Sequence, residues 1–255
     1  MPLNRLAAYL APLYLPVLLA ICVWPQERSI NGVPIGDMPE QLLKSHHIAL
    51  THWSLVAALR SDDAEVRKLT AGILANRWPN DTASAIEEAM LREPVIRNRI
   101  WMAFDLAKLR NHTGREMLIS ECHKRGNWGS DRMLAARFMS DLHDDSCVDS
   151  IIDVLQSNSD PNDTVSKEEA LDLVPNFIEH LTQRDSQRVF ELVANALDDP
   201  APGVRMDAGD VLVRLGDVTT IPRLEAAIAR KQEETCRGAL DRDLKQMQKA
   251  KQAHQ

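Results

Sequence analysis

Three groups of side chains in this 255-residue chain have types that can do chemistry. His46, His47 and His52 lie close together, His143-Asp144-Asp145 stands beside Cys147, and Trp53, Trp78, Trp101 and Trp128 are candidates to line a pocket. Histidine with cysteine and aspartate is a donor set that zinc accepts. Neither histidine group has a recognised metal-ligand spacing, so the first reads as a polar helix face and the second as a capped turn. Tryptophans of this kind more often fill a core, and Trp101 falls on a packing position of a repeat. The sequence has no GxSxG, HExxH, P-loop or dinucleotide-binding glycine pattern, and no carboxylate pair stands out from an acidic surface. No catalytic residue, metal ligand or cofactor is assigned.

Cys22, Cys122, Cys147 and Cys236 lack the CxxC spacings of zinc or redox sites and read as apolar residues. In an oxidising compartment Cys122 and Cys147 could meet across neighbouring helices, which requires Cα atoms within about 7 Å, a geometry that sequence does not establish.

Basic residues show a stronger order. In "APGVRMDAGDVLVRLGD", residues 201–217, an apolar-basic pair opens an amphipathic stretch, with packing residues four, five and eight positions after the apolar one. The same figure recurs at Val66-Arg67, Ile96-Arg97, Asp131-Arg132, Ser166-Lys167, Val204-Arg205 and Cys236-Arg237, separated by 30, 35, 35, 38 and 32 residues. Between the starts lie second periodic segments such as "TASAIEEAMLRE" and "DSQRVFELVANALDD", each with one apolar stripe. Short carboxylates and amides at Asp62-Asp63, Asn80-Asp81, Asp144-Asp145, Asp160-Pro161 and Asp198-Asp199-Pro200 suit helix caps between them. Each unit is thus a helical hairpin that cannot bury both its apolar faces alone, so neighbours must stack.

This pattern resembles the HEAT repeat, including the HEAT-like variety first described in phycobilisome bilin lyases. The match is sharpest over residues 198–228 and next over 61–77, and it covers roughly residues 40–250. The resemblance implies an all-α superhelix of about five to six hairpins in which Arg67, Arg97, Arg132, Arg205 and Arg237 support turns and form a ladder between repeats. It also leaves open two enzyme readings, a bilin-lyase type and a DNA-glycosylase type, which the sequence supports less than a binding role.

Few glycines and aromatics beside abundant Ala, Leu, Glu, Arg and Lys agree with an all-α chain. Residues 1–24 are read as a signal-anchor or transmembrane helix, because Leu6 to Trp24 is uncharged for nineteen positions and would span nearly 30 Å as a helix. A cleaved signal is the competing reading. Residues 25–39, with their prolines and glycines, read as a tether, and 40–255 as the repeat domain with a polar C-terminal capping helix. Arg5 ahead of the apolar run puts the large domain on the non-cytoplasmic side by the positive-inside tendency. The net charge of −7 belongs entirely to residues after 39, which argues against nucleic acid as a partner. The expected function is a non-catalytic, membrane-anchored scaffold or adaptor that binds a protein partner in the solenoid groove. The alternative is a lyase-type or other enzyme accessory with its site in that groove.

Overall fold

A computed structural model of the chain describes residues 29–30, 33–34, 38–124, 129–157, 164–230 and 234–253. Contacts divide the chain into residues 1–38 and residues 39–255. In the first unit β1 (Ser29–Ile30) pairs antiparallel with β2 (Val33–Pro34), with Ser29 opposite Pro34 and Ile30 opposite Val33. Asn-Gly between two such dipeptides is the strongest short hairpin signal a sequence carries.

The fold class is corrected at the N-terminus: the expected transmembrane helix is not part of the described architecture. Leu6 to Trp24 lie outside the described residues, and among those described no helix is long and apolar enough to cross a membrane. The reason is their pattern, one apolar stripe with charge on the remainder. Even α13 (Glu234–Ala253), the single described helix of spanning length, carries eight charged residues.

Thirteen α-helices make up the described remainder: α1 (Met38–Ser45), α2 (His52–Ala58), α3 (Ala64–Arg77), α4 (Ala83–Arg92), α5 (Ile96–Lys108), α6 (His112–Cys122), α7 (Gly129–Asp141), α8 (Val148–Gln156), α9 (Thr164–Phe177), α10 (Gln183–Asn195), α11 (Pro202–Leu215), α12 (Ile221–Ala229) and α13. They pack in a repeat-like way compatible with an α-solenoid. The odd helices from α3 to α13 each touch the next odd one, forming a first layer. The even helices form a second: α4 lies on α3 and α5, α6 on α5 and α7, α8 on α7 and α9, α10 on α8 and α11, and α12 on α13.

The first layer closes because small and apolar residues recur at one register. Val66, Thr70, Ala71 and Leu74 of α3 are fully buried, as are Ala170, Leu171 and Val174 of α9 and Val204, Ala208 and Leu212 of α11. Each large apolar side chain hidden in this way contributes about 1.5–3 kcal/mol. In α5 the structure shifts the expected register by two. Ile100 is fully buried as the Ile96 register expects, but Trp101 and Phe104 are not, whereas Asn98, Met102, Ala103 and Leu106 all are, so the unit starts at Asn98-Arg99, while Arg97 is exposed. Trp101, placed in a core slot by the Ile96 register, is 38% exposed and meets Phe138 edge-on at 4.6 Å. Asn98 carries its polar group inward because its Nδ2 donates to the Ala64 carbonyl at 2.8 Å, tying α5 to α3.

Candidate functional site

The repeated basic residues are built into the turns. Arg67 Nη1 donates to the carbonyls of Ser61 and Asp62 at 2.7 and 3.0 Å, six and five residues before it. Arg205 repeats this figure on Asp199 and Pro200, both at 2.8 Å. The remaining edge of Arg67 grips Glu93 bidentately, Nε to Oε2 at 2.7 Å and Nη2 to Oε1 at 2.9 Å. Burial pushes the Glu93 carboxyl up, but the hydrogen bonds from Arg67 and the Val95 N–H, with the Arg67 charge, hold it below the ordinary range. Glu93-Pro94 lies six and five residues before Arg99, as Asp199-Pro200 lies before Arg205. Lys167 reaches that second carboxylate from the preceding unit, Nζ to Asp199 Oδ2 at 2.7 Å. The ladder thus runs from a basic residue of one repeat to the acid that opens the next. Arg132 varies it, donating to the Cys122 carbonyl at 2.8 Å and to Asp153 at 3.3 Å. In the Arg97–Asp131 contact at 3.5 Å the arginine is exposed, and so is Arg237. An acid-proline pair six residues before arginine is the signal that would have found this register.

A left-handed residue stands eleven positions after Arg99, Arg132 and Arg205: Arg110 (φ 59°), His143 (φ 56°) and Gly216 (φ 69°). At Arg110 and His143 the next N–H reaches back to a carbonyl in the last turn, Asn111 to Leu106 at 3.0 Å and Asp144 to Met139 at 2.9 Å. His47, also left-handed, closes α1 in the same way, with Ile48 N–H on the Leu43 carbonyl at 2.9 Å.

The histidine groups of the sequence therefore separate. His46 lies 3.9 Å from Asp63, His47 and His143 are helix ends, and His52 sits between Trp53 and Trp78, whose rings meet it edge-on at 5.5 and 5.6 Å. Asp144 accepts from the Ser146 hydroxyl and N–H and from Arg115; burial raises its pKa, yet these partners hold it below the usual carboxylate range. Trp128 lies outside the described residues. Cys122 and Cys147 are joined in a disulfide with Cα atoms 5.9 Å apart, tying the end of α6 to the 3-10 turn (Asp145–Cys147) that leads into α8. His123 Nδ1 lies 3.3 Å from the Cys122 sulfur, and these three residues are the one metal-type cluster among the described residues. With the sulfurs bonded to one another, they offer no thiolate pair.

The second layer carries the more open chemistry. A cleft of about 360 Å³ lies between α2 and α4, lined by Trp53, Val56, Ala57, Leu59 and Arg60 from one and by Ala85, Glu88 and Arg92 from the other. Trp53 is 82% exposed, and Leu91 on α4 is 64% exposed. Two further hollows lie around His46–Ser61 and beside Lys167 and Asp199. None of the three brings histidine, tryptophan and carboxylate together.

On the first layer, carboxylates crowd where α11 meets α9 and α13. Glu168 presses on Gly203 and Asp243 on Gly209, where an added Cβ would lie 1.9 and 2.6 Å from their oxygens. Burial, reinforced by Glu168, Asp172 and Asp210, pushes Asp207 up to about 6, and burial with Asp210 does the same to Asp243.

No protein-family model matches the chain, and no curated protein matches it. Among solved structures, the chain is similar to an engineered protein crystallised by the Northeast Structural Genomics Consortium, at 17% identity and a TM-score of 0.44 over 77% of this chain and 96% of that one. A likeness at that score carries no argument about function.

Proposed function

We propose that this chain is a HEAT-like solenoid that serves as a scaffold or adaptor, binding a protein partner along its second helical layer. The observation that carries this reading is the division of labour between the layers. Arg67, Lys167 and Arg205 are consumed in fixing turns and, for the first two, in joining repeats, whereas the second layer presents an exposed tryptophan and an open cleft. Extended surfaces of stacked hairpins are commonly used for partner binding. The Cys122–Cys147 bridge supports placing the domain in an oxidising compartment.

Affinity capture on the full chain, followed by reconstitution with the purified captured protein, tests the reading. A saturable complex is expected, weakened by charge reversals on one or another helix of the second layer. A captured protein whose binding survives reversals along α2, α4 and α6 counts against it, as does failure to reconstitute any complex.

A further inference from the structure

The α2/α4 cleft differs from the rest of the surface in three ways. Trp53 projects into solvent at 82% exposure, with His52 edge-on to its ring at 5.5 Å and edge-on in turn to Trp78. A large aromatic ring with so much uncovered surface gains much when something lies against it. The floor beneath it is apolar, from Val56, Leu59 and Ala85. Finally, the rim is cationic. Arg60 and Arg92 both turn to one carboxylate, Glu88, at 3.5 and 3.2 Å, so two guanidinium groups share a single negative charge. All three are at least half exposed and lie on a body whose net charge is −7.

An acidic segment is repelled by most of this molecule and accepted at that rim, and an apolar side chain carried beside its carboxylate has Trp53 and the cleft floor to cover. We propose that the α2/α4 cleft docks an acidic, apolar peptide segment of the protein partner, with a leucine- or phenylalanine-like side chain against Trp53 and a neighbouring carboxylate on Arg60 and Arg92. This deepens the partner-binding reading and rests on it. The arginine that leaves Glu88 for the ligand gives up an exposed pair of little worth and gains a forked, partly desolvated one.

The test uses the full chain as bait for phage-displayed random short peptides, with each enriched sequence then synthesised, fluorescein-labelled and titrated by anisotropy. Enriched peptides are expected to place Leu, Phe or Trp beside Asp or Glu. Trp53→Ala and Arg60→Glu should each weaken them ~10-fold or more, the scale of a central anchor residue. Glu88→Ala, which releases both arginines, should tighten them. The three side chains are exposed, so melting temperatures should stay within about 1 °C of the parent. Peptides that bind all variants equally lie elsewhere, which overturns the cleft assignment and leaves the partner-binding reading standing. Basic peptides, or phosphatidylserine-containing vesicles binding through Trp53 while no peptide enriches, also overturn it. An empty selection counts against the cleft, and the separate reconstitution experiment decides whether the broader reading falls with it.

Discussion

Arg67 and Arg97 look alike in the sequence and are opposite in consequence. Arg67 faces a Glu93 side chain with no exposed surface, and removing it leaves that carboxylate buried without its counter-ion. Arg67→Ala is therefore expected to cost about 3–5 kcal/mol in chemical denaturation, and Arg67→Lys to recover little because it cannot fork. Arg97→Ala, at a pair whose arginine is exposed, should fall within about 0.5 kcal/mol of the parent. A large loss there would restore the Ile96 register. The left-handed helix ends provide a second residue-scale prediction. Arg110 and His143 hold a conformation that side chains with a Cβ resist, so Arg110→Gly and His143→Gly should each stabilise the fold by about 0.5–1 kcal/mol, the relief of strain less the added chain entropy. Gly216→Ala has open space around it and should lose a similar amount through backbone strain alone. Equal melting of both substitutions with the parent would show that the helix ends relax freely. Sequence reading found Arg67, Arg132, Lys167 and Arg205 because chemistry and spacing agree in them, but took Arg97 where Arg99 stands. It missed the Glu93 partner, since Glu93 differs from other glutamates only through the proline after it and the arginine six residues on.

At the scale of helices, five of the six starts and the intervening second segments were legible because an apolar stripe leaves a period in the sequence, while the start in α5 lay two residues off. What the period does not encode is how two helices meet. Trp101 satisfies the spacing yet lies at the rim on Phe138, while Met102 and Ala103 beside it take the fully buried positions. The carboxylate seam was invisible for the same reason: Glu168, Asp207, Asp210 and Asp243 come together only when α9, α11 and α13 pack. Asp207 and Asp243 are raised to about 6 from 3.8. An acid raised on folding takes up protons in the folded state first, so stability increases as pH falls through 6 and the gain is complete near pH 4. Glu87, Glu93 and Asp144 oppose this, being held below their ordinary values, but their contribution fades only below about pH 4.5. Burial raises Asp105 of α5 as well, so between pH 7.5 and 5.5 the raised acids decide. Thermal unfolding should occur ~2–4 °C higher at pH 5.5, allowing for solvent screening of half-exposed groups. Asp207→Asn should raise the melting point at pH 7.5 and flatten the dependence. A stability that declines steadily from pH 7.5 to 5.5 would refute the seam's role.

For the whole molecule, the Cys122–Cys147 bridge sets where the stack is strongest. A stack of hairpins is quasi-one-dimensional, each unit stabilised by itself and its neighbours, so a local constraint strengthens one stretch rather than the entire chain. The bridge joins residues 25 apart in sequence around α7, and by the loop-entropy relation it contributes about 3.5 kcal/mol to that stretch. The sequence offered the two cysteines as a pair, but only the packing of the α6 end on the turn before α8 brings their Cα atoms to 5.9 Å. Both sulfurs lie in the core, Cys122 fully buried and Cys147 2% exposed, so the native bridge should resist mild reductant and be lost mainly through local opening. Calorimetry of the oxidised protein, of protein reduced in denaturant and refolded, and of the Cys122→Ala/Cys147→Ala chain separates the contributions. The reduced and double-substituted chains should begin to melt roughly 10 °C lower. Hydrogen exchange should place that early loss in α6, α7 and α8, while α11 to α13 keep their protection. A uniform loss from α3 to α13 would mean that the repeats unfold as one cooperative block. Unchanged melting on reduction would remove the bridge from the forces that hold this stack together, and with it the main support for an oxidising compartment.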